Sequence, residues 1–147
     1  MQKTKNSLII AVDGTAGSGK GAIAKSIAKE YHLQHFDTGM LYRYIAYIMI
    51  ESNLDINGII KYIKTMTAME IRNIGEIQTT LQTEEIGEKA SKIAKEEKIR
   101  KMLVDIQRDF AKNHTGFSGS ILDGRDIGTV ILKDASIKFF VDAKISK

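Results

Sequence analysis

Stretches of mostly apolar residues alternate with amphipathic stretches along this chain. The segments 7–13, 120–123 and 137–142 are typical of parallel strands buried on both faces, and the shorter segment 32–37 is interpreted as a further strand. Between these strands, apolar residues recur with helical spacing, which predicts helices at about 20–31, 40–52, 58–66, 83–94 and 98–112. Strands that alternate with helices predict an α/β fold around a parallel sheet.

The segment 68–82 has the weakest pattern of the chain. It is interpreted as a small hairpin whose turn covers Asn73 to Glu76. No repeat, low-complexity tract or linker interrupts the 147 residues, so one domain is expected over 1–147, with any subdivision arising by insertion between helices.

Composition narrows the class of protein without defining its function. Hydrophobic residues make up 43% and charged residues 27% of the chain, as in ordinary globular domains. The net charge of +4 suits phosphate-bearing ligands but is too diffuse to indicate a nucleic-acid partner. The chain has no cysteine, which excludes disulfides and thiolate metal sites, and no apolar run is long enough to span a bilayer. A cytoplasmic protein without a membrane partner is expected.

A glycine-rich segment between the first strand and the first helix carries the strongest chemical signal. Its sequence, GTAGSGK, has the spacing of a phosphate-binding loop. Glycines let backbone N–H groups converge on a phosphate, Lys20 adds a positive charge, and the helix beginning there adds the positive end of its dipole. The predicted nucleotide cradle consists of Gly14, Thr15, Ala16, Gly17, Ser18, Gly19, Lys20, Gly21 and Ala22.

The residues after the lysine depart from the usual loop. Gly21 and Ala22 stand where such loops carry a Ser or Thr hydroxyl that contacts magnesium or a phosphate. We expect the missing hydrogen bond to weaken binding of a nucleoside triphosphate by on the order of 1 kcal/mol.

The carboxyl end of the strand 120–123 is the second candidate region, because ligands of open α/β sheets bind at this edge. Asp123 ends the strand where a magnesium-orienting carboxylate belongs, and Arg125 and Asp126 follow directly. Taken alone, this short motif is interpreted equally well as a structural turn.

Other polar side chains are open to two interpretations. Arg43, at the start of the helix 40–52, is either a phosphate clamp or a solvated charge. His32 and His35 have no neighbouring ligand set and are interpreted as surface or strand-edge histidines rather than metal ligands. The last predicted helix carries basic residues that are interpreted as a solvated face, namely Arg100, Lys101, Arg108 and Lys112.

Several motifs occur together in one order. They are the loop 14–21, Asp37-Thr38-Gly39-Met40-Leu41-Tyr42-Arg43, Thr83-Glu84-Glu85-Ile86 with Ala90-Ser91-Lys92-Ile93-Ala94, Ile99-Arg100, Gln107-Arg108, and Leu122-Asp123-Gly124-Arg125-Asp126-Ile127-Gly128-Thr129. With these motifs the chain resembles bacterial cytidylate kinases from its first strand to its last residue. The resemblance implies the parallel sheet with flanking helices of P-loop nucleoside monophosphate kinases, with a monophosphate-binding insert at about 53–96. It also implies transfer of the γ-phosphate of ATP to CMP or dCMP with Mg²⁺, and no nucleic-acid or membrane partner.

The resemblance also implies roles for individual residues in binding the phosphates. Lys20 and Arg125 are implied to be catalytic, acting by positioning and charge neutralisation. Arg43 and Arg125 are implied to hold the CMP phosphate, and Thr38 and Tyr42 to shape its pocket.

Further residues are implied to recognise the base and the metal. Ser91, Arg100 and Asp126 resemble the groups that read cytosine, since a carboxylate accepts from the exocyclic amine while Arg and Ser donate to the carbonyl and ring nitrogen. Asp123 is implied to hold magnesium through water.

The chain departs from the family pattern at two further places. Gln82 stands where the family usually has an arginine, and the lid helix, last strand and adenine-contacting loop are expected to be missing after residue 143.

Two hypotheses follow: a cytidylate kinase whose sequence is incomplete, or a non-catalytic remnant that binds nucleotide weakly or needs a complementing chain. A complete protein is expected to be a monomer. Without the missing segment, Ile137, Phe139 and Val141 are expected to stay partly uncovered and to promote self-association.

Overall fold

The computed structural model describes residues 7–15 and 17–142. The predicted cradle residue Ala16 lies outside the described residues. So do the residues after 142, where the lid helix is expected to be missing. In chain order, the elements are β1 (Leu8–Gly14), α1 (Lys20–Tyr31), β2 (Leu33–Asp37), α2 (Thr38–Glu51), α3 (Ile56–Lys64), α4 (Ala68–Arg72), a 3-10 helix (Asn73–Ile77), α5 (Gln78–Leu81), α6 (Glu84–Ile93), α7 (Glu97–Lys112), β3 (Gly119–Gly124), a π-helix (Ile127–Ile131) and β4 (Ile137–Val141).

The chain divides into two compact units. The first comprises Met1–Thr38 and Gln107–Lys147, and the second comprises Gly39–Ile106. The insert expected at about 53–96 falls within the sequence of the second unit, and its boundaries stay a prediction.

The first unit is built on a parallel sheet of four strands in the order β2-β3-β1-β4. Helix α1 connects β1 to β2, which is the crossover that parallel strands require. All six residues of β3 are buried, as expected for a central strand with apolar residues on both faces. The predicted α/β fold with a parallel sheet flanked by helices is therefore confirmed.

The core of this unit lies between α1 and the sheet. Its buried members are small or branched apolar residues of β1, α1, β2 and β3: Ile10, Val12, Ala24, Ala28, Leu33 and Ile121. On β2, the ring of Phe36 contacts that of Phe110 near the end of α7, with centroids 4.7 Å apart. Burial of these side chains fixes the strands against the helices.

Strand register positions the candidate site. Along β1 and β3, Asp13 pairs with Gly124, so both strands end at the same edge of the sheet. The glycine-rich loop follows β1 at this edge, and Arg125 and Asp126 follow β3 there. The two segments that the sequence singles out are therefore brought together by the pairing of two strands.

The second unit is helical, and side chains mark where its helices begin. Asp55 accepts from the amide of Gly58 at 2.8 Å, and Thr83 accepts from the amide of Ile86 at 3.2 Å, which are N-cap contacts for α3 and α6. The predicted helix start at Thr83 is confirmed. No described helix is both long and apolar enough to cross a membrane.

The hairpin predicted around Asn73 to Glu76 is wrong, because this segment is helical. Ile71, Ile74 and Ile77 recur every third residue, a spacing that aligns side chains on one face of a helix rather than alternating them across a strand. Ile74 is buried, so this face packs inward.

A polar cluster in the second unit was not predicted. Tyr44 and Tyr62 both donate to the same carboxylate oxygen, Oε2 of Glu70, and so connect α2, α3 and α4. Burial raises the pKa of both tyrosines, and the hydrogen bond to Glu70 raises it further, which keeps the two hydroxyls protonated as donors.

Strand β4 forms an edge of the sheet with apolar side chains exposed. Ile137 is 40%, Phe139 42% and Phe140 70% exposed, while Val141 is half-buried. The expected partial exposure of Ile137, Phe139 and Val141 is therefore confirmed, whereas self-association stays a prediction.

We expect the 147-residue chain to self-associate at high concentration, because an edge strand with exposed apolar residues pairs or packs with other copies. Phe140→Lys should lower the apparent mass measured by light scattering, since a charge on an edge strand opposes pairing. The matched control is Tyr31→Lys, at an aromatic residue 59% exposed on α1, which should leave the mass unchanged. A monodisperse monomer of the unsubstituted chain would contradict this expectation.

Candidate functional site

The glycine-rich loop has the backbone of an anion cradle. Gly17 and Gly19 have φ of 75° and 88°, left-handed values that residues with a Cβ rarely adopt. Helix α1 begins at Lys20, directly after Gly19. The two glycines therefore let the chain turn just before the amino end of a twelve-residue helix. The first backbone N–H groups of a helix have no helical partner and attract negative charge.

Side chains of the loop agree with this interpretation. The Ser18 hydroxyl is buried and has no hydrogen-bond partner among the described residues, and Lys20 Nζ donates weakly to the Thr15 carbonyl at 3.4 Å. A buried hydroxyl without a partner is costly unless a ligand or water satisfies it. The residues present therefore fit a phosphate group. Ala22, half a turn into α1, contributes no hydroxyl.

Asp123 lies at the carboxyl end of β3 and is 1% exposed. Its Oδ2 contacts Nε2 of His35 on β2, and its backbone carbonyl accepts from the Thr38 hydroxyl at 3.0 Å. Of the two interpretations of His35, as a surface or a strand-edge histidine, the second is confirmed: it lies on the edge strand β2, is half-buried and pairs with a buried carboxylate. Since a buried polar group needs a hydrogen-bond partner, His35 stabilises Asp123 in this position.

His32, the residue directly before β2, is a surface histidine, as one of the two interpretations predicts. His32 is exposed, with a ring nitrogen 2.9 Å from the Gly116 carbonyl and its ring stacked on that of Phe117. Between residues 7 and 142, Ala16 aside, no group of three or more His, Asp or Glu side chains could hold a metal ion directly. A metal contact of Asp123 through water stays a prediction.

The backbone is tightly packed where β3 ends. A Cβ on Gly124 would lie 2.0 Å from the Thr38 hydroxyl oxygen, so only glycine fits there. Arg125 and Asp126, which follow, are exposed, and Asp126 has a left-handed φ of 58°. Asp and Asn are the residues other than glycine that tolerate this conformation best. Thr38, Asp123, Arg125 and Asp126 are therefore gathered at one edge of the sheet.

Two ionisable residues to which the sequence interpretation gave no such role hold the π-helix after Asp126. Asp13 accepts from the amides of Ile127 and Gly128, and Arg108 donates to the carbonyls of Val130 and Ile131. The interpretation of Arg108 as part of a solvated face is wrong, because its side chain is half-buried and hydrogen-bonded. Arg100, Lys101 and Lys112 are exposed, as expected.

In the second unit, Arg43 is fixed by carbonyls at the end of α5 and just before α6. Its Nη1 donates to Leu81 at 2.9 Å and to Thr83 at 3.4 Å, and a Cβ on Gly87 would lie 3.0 Å from Nη2. Arg43 is half-buried and is not the freely solvated charge of the alternative interpretation. Its contact with a phosphate stays a prediction.

The other predicted residues of this unit lie on three helices. Tyr42 on α2 is half-buried; burial raises the pKa of its hydroxyl, and the nearby Arg100 guanidinium on α7 partly opposes that rise. Arg100 is exposed and donates to the Ala94 carbonyl at 3.1 Å, while Ser91 is exposed on α6. The structure therefore brings Tyr42 near Arg100.

Comparison with known proteins gives a consistent result over nearly the whole chain. The family model described as cytidylate kinase matches residues 10–147. A cytidylate kinase of Bartonella tribocorum is 44% identical over 137 residues, which cover 93% of this chain and 61% of that relative. A cytidylate kinase of Mycoplasma pneumoniae is 39% identical over 140 residues, covering 92% of this chain and 63% of that relative. The chain thus spans about three fifths of the length of these curated relatives, and it belongs to the cytidylate kinase family.

Proposed function

We propose that this chain carries nucleotide-binding machinery for transferring the γ-phosphate of ATP to CMP or dCMP. The observation that carries the proposal is the left-handed glycine loop at the start of α1 in a member of the cytidylate kinase family. In this reaction a phosphate oxygen of CMP forms a bond to the γ-phosphorus while the bond to the β,γ-bridging oxygen breaks. The products are CDP, or dCDP, and ADP.

The donor side of the reaction is assigned to the loop that follows β1. The backbone from Gly14 to Gly21 would surround the ATP phosphates, and Lys20 would neutralise charge on the β- and γ-phosphates. The buried Ser18 hydroxyl, which has no hydrogen-bond partner in the described part of the chain, would donate to the same phosphates. Magnesium, when bound with ATP, would neutralise further charge, and Asp123 would hold it through water.

The acceptor side is assigned to two arginines and two residues of the predicted pocket. Arg43 and Arg125 would hold the CMP phosphate, because a guanidinium offers bidentate donors to phosphate. The bonds of Arg43 to Leu81 and Thr83 both use Nη1, and a guanidinium has further N–H donors to offer to a ligand. Thr38 and Tyr42 would line the pocket.

Base recognition is assigned to Ser91, Arg100 and Asp126. The Asp126 carboxylate would accept from the exocyclic amine of cytosine, a group that uracil lacks. Arg100 and Ser91 would donate to the carbonyl and ring nitrogen. Polar groups that pair only with the correct base discriminate strongly once the base covers them, because the wrong base leaves them unsatisfied.

A second candidate is nucleotide binding without turnover, either as a remnant or with a complementing chain. The sequence at Ala22 and Gln82, which lacks the hydroxyl and the arginine usual in the family, favours it. The two candidates make opposite predictions for catalysis and the same prediction for binding.

A coupled assay with ATP, Mg²⁺ and CMP separates the candidates. Turnover of about 10 s⁻¹, the usual value for enzymes, would support the kinase and overturn binding without turnover. Lys20→Ala should lower that rate roughly 100-fold or more, because it removes the charge at the transferred phosphate. Lys25→Ala, at an exposed lysine of the same helix, is the matched control. Absence of CMP and ATP binding by calorimetry would contradict both candidates.

Asp126→Asn tests base recognition. Asparagine tolerates the left-handed φ of this position, so the substitution changes the charge and one acceptor while it keeps the backbone. We expect the preference for CMP over UMP, measured as a ratio of Kd values, to fall about tenfold. Asp134→Asn, at another exposed aspartate of the first unit, should leave the ratio unchanged. An unaltered preference in Asp126→Asn would remove Asp126 from base recognition.

Ala22→Thr tests the cost of the missing hydroxyl. Restoring one neutral hydrogen bond to a phosphate should tighten ATP binding by about 1 kcal/mol, or about fivefold in Kd. Ser26→Thr, at an exposed position of α1, controls for the effect of a β-branched residue on the helix. An equal ATP affinity in Ala22→Thr and the unsubstituted chain would show that this position does not contact the donor.

A further inference from the structure

The π-helix Ile127–Ile131 is held at its amino end by a carboxylate from the strand that precedes the phosphate loop. Asp13 Oδ1 accepts from the Ile127 amide at 2.6 Å, and Oδ2 accepts from the Gly128 amide at 2.8 Å. These amides are among the N–H groups that have no partner inside the helix. Both oxygens of one carboxylate therefore satisfy two successive donors, where the helix dipole also favours negative charge.

The carboxyl end of the same helix is held by a cation. Arg108 on α7 donates from Nε to the Ile131 carbonyl at 2.9 Å and from Nη2 to the Val130 carbonyl at 3.1 Å. Carbonyls at this end lack helical partners and carry the negative end of the dipole. Opposite charges thus hold opposite ends of a five-residue helix of a rare kind, one that occurs frequently at functional sites.

This arrangement fixes the backbone of the two residues just before it. On one side, Gly124 is confined by Thr38 and by strand pairing with Asp13. On the other, the Asp126 carbonyl accepts from the amides of Val130 and Ile131, and Asp126 keeps its left-handed conformation. Arg125 lies between Gly124 and Asp126, whose backbones are fixed in this way. The side chains of Arg125 and Asp126 are both exposed. Their side chains are therefore aimed by backbone that Asp13 and Arg108 hold in place.

We propose that Asp13 and Arg108 are positioning residues for the acceptor nucleotide. They hold the π-helix at both ends and thereby set the directions of Arg125 and Asp126. The inference rests on the function proposed above, in which these two residues contact the CMP phosphate and cytosine. Both positioning residues act through the backbone of the π-helix and not by touching the nucleotide.

Positioning and general stabilisation predict different effects of losing these side chains. If the two side chains only stabilised the fold, their loss would lower thermal stability and weaken every ligand alike. If they position the segment, its backbone loosens locally and CMP binding falls disproportionately, because small misplacement of binding groups has a large cost. Arg108 is the cleaner test, since Asp13 also neighbours Gly14 of the phosphate loop.

The experiment uses Asp13→Asn, Arg108→Met and the conservative Arg108→Lys in the 147-residue chain. Matched controls are Asp105→Asn and Lys112→Met, at exposed residues of α7. Hydrogen exchange of a peptide covering residues 125–131 reports on the segment directly. Calorimetry with CMP and with ATP, together with thermal melting, reports on binding and fold.

We expect faster exchange of residues 125–131 and a CMP Kd raised roughly tenfold in Asp13→Asn and Arg108→Met, but not in the controls. ATP affinity of Arg108→Met should stay within about twofold of the unsubstituted chain, and Arg108→Lys should recover part of the CMP affinity, because a lysine keeps the charge but loses the fork.

Unchanged exchange in both variants would overturn the proposal, as would faster exchange with unaltered CMP affinity. Equal losses for CMP and ATP in Arg108→Met would assign it a structural role instead. Failure of the unsubstituted chain to bind CMP would overturn the proposed function, and the inference with it.

Discussion

Parallel pairing between β1 and β3 is the contact on which the candidate site of the first unit depends. It holds Asp13 level with Gly124, so the phosphate loop and the Arg125 segment begin at the same edge. A shift of register by one residue would turn the side chain of Asp13 to the opposite face of the sheet. Its carboxylate would then lose the amides of Ile127 and Gly128. One set of backbone hydrogen bonds thus organises two predicted ligand-binding segments at once.

Buried polar groups keep β2 and β3 in a single arrangement, starting near the amino ends of the two strands. Gln34 on β2 donates to the Ser120 hydroxyl and to the Phe110 carbonyl, each at 2.7 Å, and Ser120 donates to the Ala111 carbonyl at 2.8 Å. Such groups are costly to bury without partners, so the hydrogen bonds allow little sliding between β2, β3 and the end of α7. The pair of His35 with Asp123 adds a further bond between β2 and β3.

The parts of the fold that could be predicted from sequence are those that local pattern determines. Apolar runs identified the strands, and the glycine loop identified the amino end of α1, because both signals lie within a few residues. The hairpin predicted in the segment 68–82 is wrong because its apolar spacing is too short to separate the two structures by alternation alone, and isoleucines three apart favour a helix. The order of the motifs indicated the cytidylate kinase family, and the comparisons confirm it.

The roles of Asp13, His35 and Arg108 could not be predicted for a different reason. Asp13 lies 114 residues from Ile127 in sequence, and His35 lies 88 residues from Asp123. Their partners become neighbours only once the parallel sheet forms. The Gln107-Arg108 motif marked Arg108 as noteworthy, but nothing local indicates that it binds carbonyls. An acidic residue directly before a glycine loop is a signal that could have drawn attention to Asp13.

The π-helix also constrains the length of the chain at this point. A π turn contains about one residue more than an α turn, so the segment Ile127–Ile131 resembles a helical turn with one residue inserted. Deleting a residue there would preserve a helical turn but rotate whatever precedes it by about 100°, the angle of one helical residue. The side chain of Arg125 would then point in a different direction. At this position, the number of residues sets the direction of Arg125 as much as their chemical identity does.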